Sequence, residues 1–309
     1  MTRSLTRLLG RFAGPLLLPV LAAFALAAQE QDLTPTFTTS VDLVNVLVTV
    51  RDASGRYVTG LQRQDFLLEE DSAPQDISYF SSGEDVPPLS VVLVIDTSES
   101  VEEKLSFERR AAAEFLRAVL TRERDAAAIV QFGSEVKLVQ DFSYDLKRLE
   151  GSLRSVYADG RTRLFDGVWL AVEDLLAGRS GRRIMVLVSD GHDTNSSLSA
   201  REAIRQAQDK EALIFGIGVR AKGQESDFNQ IQRLAESTGG LFFDSRADLE
   251  RLRQAFEAIR QAIAAQYSLG YVPQDLQSPG FRTLEITVPT RDLTVIHRPG
   301  YHFFPSPPK

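Results

Sequence analysis

Apolar and polar residues alternate strictly near the start of the chain. Val44, Val46, Val48 and Val50 share one face of a segment, opposite Leu43, Asn45, Leu47 and Thr49. A period of two predicts a strand with one buried face. "DASGR" then reads as a turn, "DFLLEE" as a strand, "DSAPQ" as a second turn and "DISYFSS" as a third strand. "GEDVPPL" reads as a linker, because its two prolines cannot sit in a central strand.

From residue 91 the rhythm changes. The aliphatic run "VVLVID" precedes a segment in which Val101, Leu105, Ala112, Phe115, Leu116 and Val119 recur at helical spacing. "AAAIVQF" and "EVKLVQD" predict a hairpin around Gly133-Ser134, and a short helix starts near Asp145. Then come a helix carrying Val168, Val172, Leu175 and Leu176, the strand "RRIMVLVSDG", the helix "AREAIRQAQ" and the strand "ALIFGIGV". A helix near "FNQIQRLAEST", the strand "GLFFD" and a helix bearing Leu249, Leu252, Phe256, Ile259 and Ile263 complete the series. Near-continuous aliphatic strands alternating with amphipathic helices predict an α/β fold, a doubly wound, mostly parallel sheet covered on both faces. Beyond residue 266 the helical period stops. "YSLGYV", "FRTLEITV" and "LTVIHR" read as strands and "PSPPK" as a tail.

This divides the chain into an N-terminal β segment at 36–88, an α/β domain at 89–265 and a C-terminal β segment at 266–305. Each β segment is too short to bury a core alone. Together they are expected to form one β-sandwich-like domain of six or seven strands, with the α/β domain inserted between its halves.

The first 28 residues stand apart. Arg3, Arg7 and Arg11 precede the apolar stretch "FAGPLLLPVLAAFALA", and Ala25-Leu26-Ala27 is a small-x-small cleavage signal. The pattern predicts a secretory signal peptide. A membrane anchor fits less well, since Pro15 and Pro19 break a run shorter than the roughly 20 residues a span needs. The formal charge is −7, and loss of the three leader arginines takes it to −10. Such a chain has no electrostatic attraction to nucleic acid or anionic lipid. It has no cysteine, hence no disulfide and no lipid anchor through an N-terminal Cys. A secreted or periplasmic protein without stable membrane insertion is expected.

Candidate chemistry sits where apolar strands end abruptly in oxygen. "VVLVIDTSES" runs from five aliphatic residues into Asp96, Ser98 and Ser100. In an open parallel sheet, ligands bind at the carboxyl ends of the strands. The loop after "VVLVID", the loop after "RIMVLVSD" and the loop "DGRTRLFDG" are expected to meet there, bringing Asp96, Ser98, Ser100, Thr162 and Asp190. Two carboxylates and three hydroxyls suit a hard divalent cation such as Mg²⁺ that keeps several waters, with Mn²⁺ or Ca²⁺ as alternatives. Taken singly, the serines could cap a helix, and Asp190-Gly191 could be a plain turn.

"DTSES", the Thr of "DGRTRLFDG" and "SDG", in that order, resemble the metal-ion-dependent adhesion site of the von Willebrand factor A domain. The resemblance covers roughly residues 89–265 and implies a Rossmann-like fold. It implies that Ser98, Ser100 and Thr162 touch the metal and that Asp96 and Asp190 bind it directly or through water. The flanking segments resemble those of exported bacterial proteins carrying this domain. The implied function is a metal-dependent adhesion or protein-binding module, without catalysis, that engages an Asp or Glu of a protein partner.

Two other readings remain for comparison: a metal-assisted hydrolase and a structural subunit of an envelope complex. A hydrolase needs a base, and of the three histidines only His192 falls in the metal loop; no Gly-x-Ser-x-Gly elbow exists. "GIGVRAKG" has its glycines inside a strand, which argues against a dinucleotide loop. His297 and His302 read as structural, and Glu69-Glu70 and Arg182-Arg183 as solvated charges.

Overall fold

A computed structural model describes residues 43–98, 102–219, 227–246, 248–289 and 292–305. The expected signal peptide at 1–28, Ser100 and Val101 lie outside the described residues. The chain opens with β1 (Val44–Asp52), β2 (Leu67–Glu70), β3 (Ala73–Gln75) and β4 (Ile77–Ser81). The α/β region follows: β5 (Leu89–Asp96), α1 (Glu102–Val119), β6 (Ala126–Phe132), β7 (Val136–Ser143), α2 (Leu146–Leu153) and α3 (Leu164–Trp169). It continues with β8 (Arg182–Ser189), α4 (Ala200–Asp209), β9 (Ala212–Val219), α5 (Asn229–Ser237), β10 (Phe242–Arg246) and α6 (Leu249–Ala264). The chain ends in β11 (Tyr267–Tyr271), β12 (Gly280–Thr287), β13 (Leu293–Ile296) and β14 (Gly300–Phe303).

The six-stranded sheet has the order β10-β9-β8-β5-β6-β7, parallel except for the β6–β7 hairpin. Leu89, Val91, Leu93 and Ile95 of β5 face a core shared with α1, α2 and α6, while Val92 and Val94 face one shared with α3, α4 and α5. A strand buried on both sides needs apolar residues at every position, which is why its alternation is lost in the sequence. Local signals place the helices. Asp145 caps α2 by accepting from the backbone N–H groups of Lys147 and Arg148, and Ser199 with Glu202 forms a capping box on α4. The helix carrying Val168 and Val172 continues past Trp169 as a π-helical segment, Leu170–Leu176. Leu249 alone of its predicted apolar stripe is exposed, because it lies in the first turn of α6, before the helix meets the core.

The two flanks form one sandwich. Its sheets have the orders β13-β1-β11-β4 and β14-β12-β2-β3, so each takes two strands from each end of the chain. Val44, Val46, Val48 and Val50 lie in a core with Leu68, Leu269, Ile286 and Phe303. Among the described residues the sandwich has eight strands, not six or seven. β14 was missed because "GYHF" is short and opens on the glycine of a Pro-Gly pair. β3 was missed because the turn before it is only Asp71-Ser72, both at positive φ as a tight two-residue hairpin requires. Pro74 is tolerated in β3 because that strand lies at a sheet edge. No helix among the described residues is long and apolar enough to cross a membrane.

Arg182 is not solvated; it is 5% exposed. Its guanidinium donates to the carbonyls of Pro87 at 3.0 Å and Ile263 at 2.9 Å, and to Gln266 Oε1 at 3.3 Å. One side chain thus ties both crossings between sandwich and α/β region to the root of β8. Burial lowers its pKa to about 10, so it remains charged at neutral pH. Arg182→Met, which strands these buried acceptors, should cost about 3 kcal/mol. An unchanged urea midpoint would mean that the crossings hold without it.

Candidate metal centre

The sheet order reverses between β5 and β8. Successive strands run outward to β7 on one side and to β10 on the other, so a crevice opens at the carboxyl ends of this central pair. β5 and β8 are in register as far as Ile95 opposite Val188. Asp96 and Ser189 therefore end neighbouring strands, and Asp190 comes one residue later. This topology explains why two acids 94 positions apart in sequence share one edge.

Asp96 is fully buried, and Ser98, Thr162 and Asp190 are each less than 5% exposed. Asp96 Oδ1 accepts the backbone N–H of Ser98 at 2.9 Å, and Oδ2 accepts the Ser189 hydroxyl at 2.6 Å. Asp190 Oδ1 accepts the backbone N–H of His192 at 3.0 Å. Burial first, and then the negative charge of Asp190, push the Asp96 carboxyl up to about 6. Asp190 is thus within electrostatic reach of Asp96, which lies in a medium that penalises its charge.

Thr162 arrives on the third loop, which is fastened on both sides. Its N–H donates to Thr194 Oγ1 at 3.1 Å, and its carbonyl accepts from the N–H groups of Thr194 and Asn195 at 3.1 and 3.0 Å. On the other flank the Asp159 N–H donates to the Thr97 carbonyl at 2.6 Å, and the Asp159 carbonyl accepts from Ser134. Asp193 and Ser196 accept the first N–H groups of α3, so that helix start is bound to the loop after β8. Gly191 has φ +90°, and a Cβ there would come within 2.4 Å of the Asp227 carbonyl. Only glycine lets the chain turn directly behind Asp190.

The structure brings Asp96, Ser98, Thr162 and Asp190 to one edge; Ser100 lies outside the described residues. Sequence reasoning missed Ser189, which holds Asp96 from the neighbouring strand. Its signal was present in "SDG", where the residue before the acid is itself a hydroxyl. His192 is exposed on the loop.

Among the described residues no group of three or more His, Asp or Glu side chains could cage a metal. The donor set here is of another kind, two carboxylates with neutral hydroxyls. It still fits a divalent cation. Hard oxygen donors are correct for one, and its charge would relieve the mutual repulsion of two buried acids.

The model of the von Willebrand factor type A domain family matches residues 90–258. No curated protein matches the chain. A solved structure of proximal thread matrix protein 1 from the mussel byssus, with a zinc-occupied MIDAS motif, is 16% identical with a TM-score of 0.51, over 63% of this chain and 49% of that one. A von Willebrand factor type A structure from Catenulispora acidiphila is 13% identical with a TM-score of 0.50, over 72% and 69%. The type V pilus tip protein Mfa5 domain from Porphyromonas gingivalis is 17% identical with a TM-score of 0.48, over 58% and 95%. At these identities the likeness is one of fold.

Proposed function

Because the chain belongs to the von Willebrand factor type A domain family, whose model matches residues 90–258, we propose that it is an exported, metal-dependent protein-binding module. The observation that carries this reading is the pair of buried acids at the switch point, Asp96 and Asp190, with Ser98 and Thr162 beside them. Asp96, Ser98, Ser100, Thr162 and Asp190 would hold the ion, with Mg²⁺ the first candidate and Mn²⁺ or Ca²⁺ the others. When bound, a divalent ion supplies an electrophilic coordination position for an oxygen donor from outside.

Two carboxylates balance the charge of a dication, and three hydroxyls add none. With the carboxylates reaching the ion partly through water, it would stay electrophilic at its open position and take one more anionic ligand, an Asp or Glu side chain of a protein partner. The residues of this chain do the positioning. Ser189 and the Ser98 N–H orient Asp96, and the paired loops keep Thr162 at the edge. The acidic balance of the chain supports a protein partner over nucleic acid. The leader at residues 1–28 supports a secreted or periplasmic location.

The test is the double substitution Ser98→Ala with Ser100→Ala. Calorimetry with Mg²⁺ should show binding to the wild-type protein and none to the variant, while circular dichroism shows both folded. Undiminished Mg²⁺ affinity in the folded variant would refute the site. Envelope and medium proteins retained by the wild type in Mg²⁺ and released by EDTA would supply the partner.

A further inference from the structure

Arg161 adjoins Thr162 on the rim of the crevice. Its backbone is fixed: the Arg161 N–H donates to Ser134 Oγ at 3.1 Å, and the next N–H, of Thr162, donates to Thr194 Oγ1. Gly160 before it has φ +53°, and a Cβ there would stand 2.3 Å from Ser134 Oγ, so the tight approach needs glycine. The side chain, by contrast, is exposed. Among the described residues no carboxylate lies within ion-pair distance of it, and its one hydrogen-bond acceptor is Asn195 Oδ1 at 3.3 Å.

That contact is contested. With its amide turned over, Asn195 accepts instead from Arg163 Nε at 3.2 Å and Nη2 at 3.1 Å, which satisfies both ends of the amide. Arg163 also has Asp166 at 3.6 Å. In that arrangement Asn195 and Arg163 satisfy each other, and the Arg161 guanidinium is left to solvent. Three acids of the neighbouring segments have other duties. Glu135 pairs with Lys137 at 3.2 Å, Asp193 accepts from the Leu164 N–H, and Asp166 accepts from the Ser197 and Leu198 N–H groups. On the same loop Tyr157 is 50% exposed, with Lys137 Nζ 2.7 Å from its hydroxyl. A chain with a large excess of acid therefore presents cations and an aromatic face beside the metal edge.

We propose that Arg161 is a second anchor for the partner, so that the segment recognised carries two acidic side chains, one for the metal and one for this guanidinium. The proposal rests on the metal-dependent reading above and narrows the partner to a di-acidic segment. An arginine on rigid backbone is suited to this, because its planar fork binds a carboxylate in two parallel hydrogen bonds with little ordering cost. A lone acid would engage the metal alone. A second acid would add affinity and fix the direction of the segment.

The experiment is a selection from a phage-displayed library of random short peptides on the full chain in Mg²⁺, eluted with EDTA. It is run in parallel on wild type and Arg161→Glu. The substitution changes an exposed side chain; thermal melts check that the fold is kept, and calorimetric Mg²⁺ titrations set the Mg²⁺ concentration at which both proteins are saturated. Wild-type protein should select peptides with two acids, whereas Arg161→Glu should select one acid with a Lys or Arg in place of the second. Wild-type peptides should bind Arg161→Glu at least about tenfold more weakly, and Arg161→Lys within a few fold of wild type. Peptides with a single acid that bind wild type and Arg161→Glu equally would overturn the second anchor and leave the metal-dependent reading standing. If Mg²⁺ binds but EDTA releases no peptide from either protein, the acidic-ligand reading fails, and the second anchor with it.

Discussion

Replacing Arg282 by Met should destabilise the protein by about 3–5 kcal/mol, read as a lower urea midpoint with the slope unchanged. Arg282 is 4% exposed and Glu70 is 5% exposed, and they meet at 2.8 Å between β12 and β2 inside the sandwich. The Tyr271 and Tyr301 hydroxyls both donate to Glu70 Oε2. Burial first, and then the bond to Glu70, raises the Tyr271 pKa far above its ordinary value, so that hydroxyl stays a donor. Removing the guanidinium leaves a carboxylate with two neutral donors in an apolar layer. The cost is therefore mostly that of the stranded charge. The double variant Glu70→Gln with Arg282→Met should recover part of the loss, because it strands no ion. A single variant as stable as wild type would mean that water reaches Glu70.

This network shows where sequence reasoning stopped. "LLEE" sets two acids side by side and "FRTLEI" sets an arginine beside a threonine, so nothing local says that Glu70 and Arg282 turn inward toward each other. Their burial comes from pairing strands more than 200 residues apart, Leu284 opposite Glu70. Arg182 was misread for the same reason, since its acceptors sit on the linker before β5 and at the end of α6. The α/β region was legible because its signals are local: aliphatic strands, the stripe from Leu252 to Ile263, and caps such as Asp145 and Ser199. The candidate site was legible for a related reason. The loops after β5 and β8 change from apolar to oxygen-bearing within two or three residues, and the parallel topology brings those changes to one edge; Thr162 lies instead in the polar loop between α2 and α3. What remained hidden there was the support, namely Ser189 across the strand pair, Thr194 behind Thr162, and the Asn195 contact that decides whether Arg161 is committed.

Neutralising Asp96 should move stability in opposite directions with and without metal. In Asp96→Asn without metal, the buried charge and its repulsion from Asp190 are gone. The wild-type carboxyl is raised from 3.8 to about 6 by burial and by Asp190. For an acid raised in this way, the cost to the folded state is full above the folded pKa and vanishes below the unfolded one. At neutral pH it is therefore present in full. Two pK units correspond to about 3 kcal/mol, and the amide returns part of this because its nitrogen faces the Ser189 hydroxyl, which already receives the Gly191 N–H. The metal-free variant should accordingly be about 1–2 kcal/mol more stable than wild type. Saturating Mg²⁺ reverses the order. A ligand that binds only the folded chain adds about 2.7 kcal/mol at a hundredfold excess over its dissociation constant, and a site reduced to one carboxylate forfeits most of that. The measurement is urea unfolding of both proteins in EDTA and in excess Mg²⁺, four curves in all. Equal Mg²⁺ stabilisation in both proteins would remove Asp96 from the site. A variant weaker than wild type in EDTA would show that its hydrogen bonds to Ser98 and Ser189 outweigh the charge they hold in place.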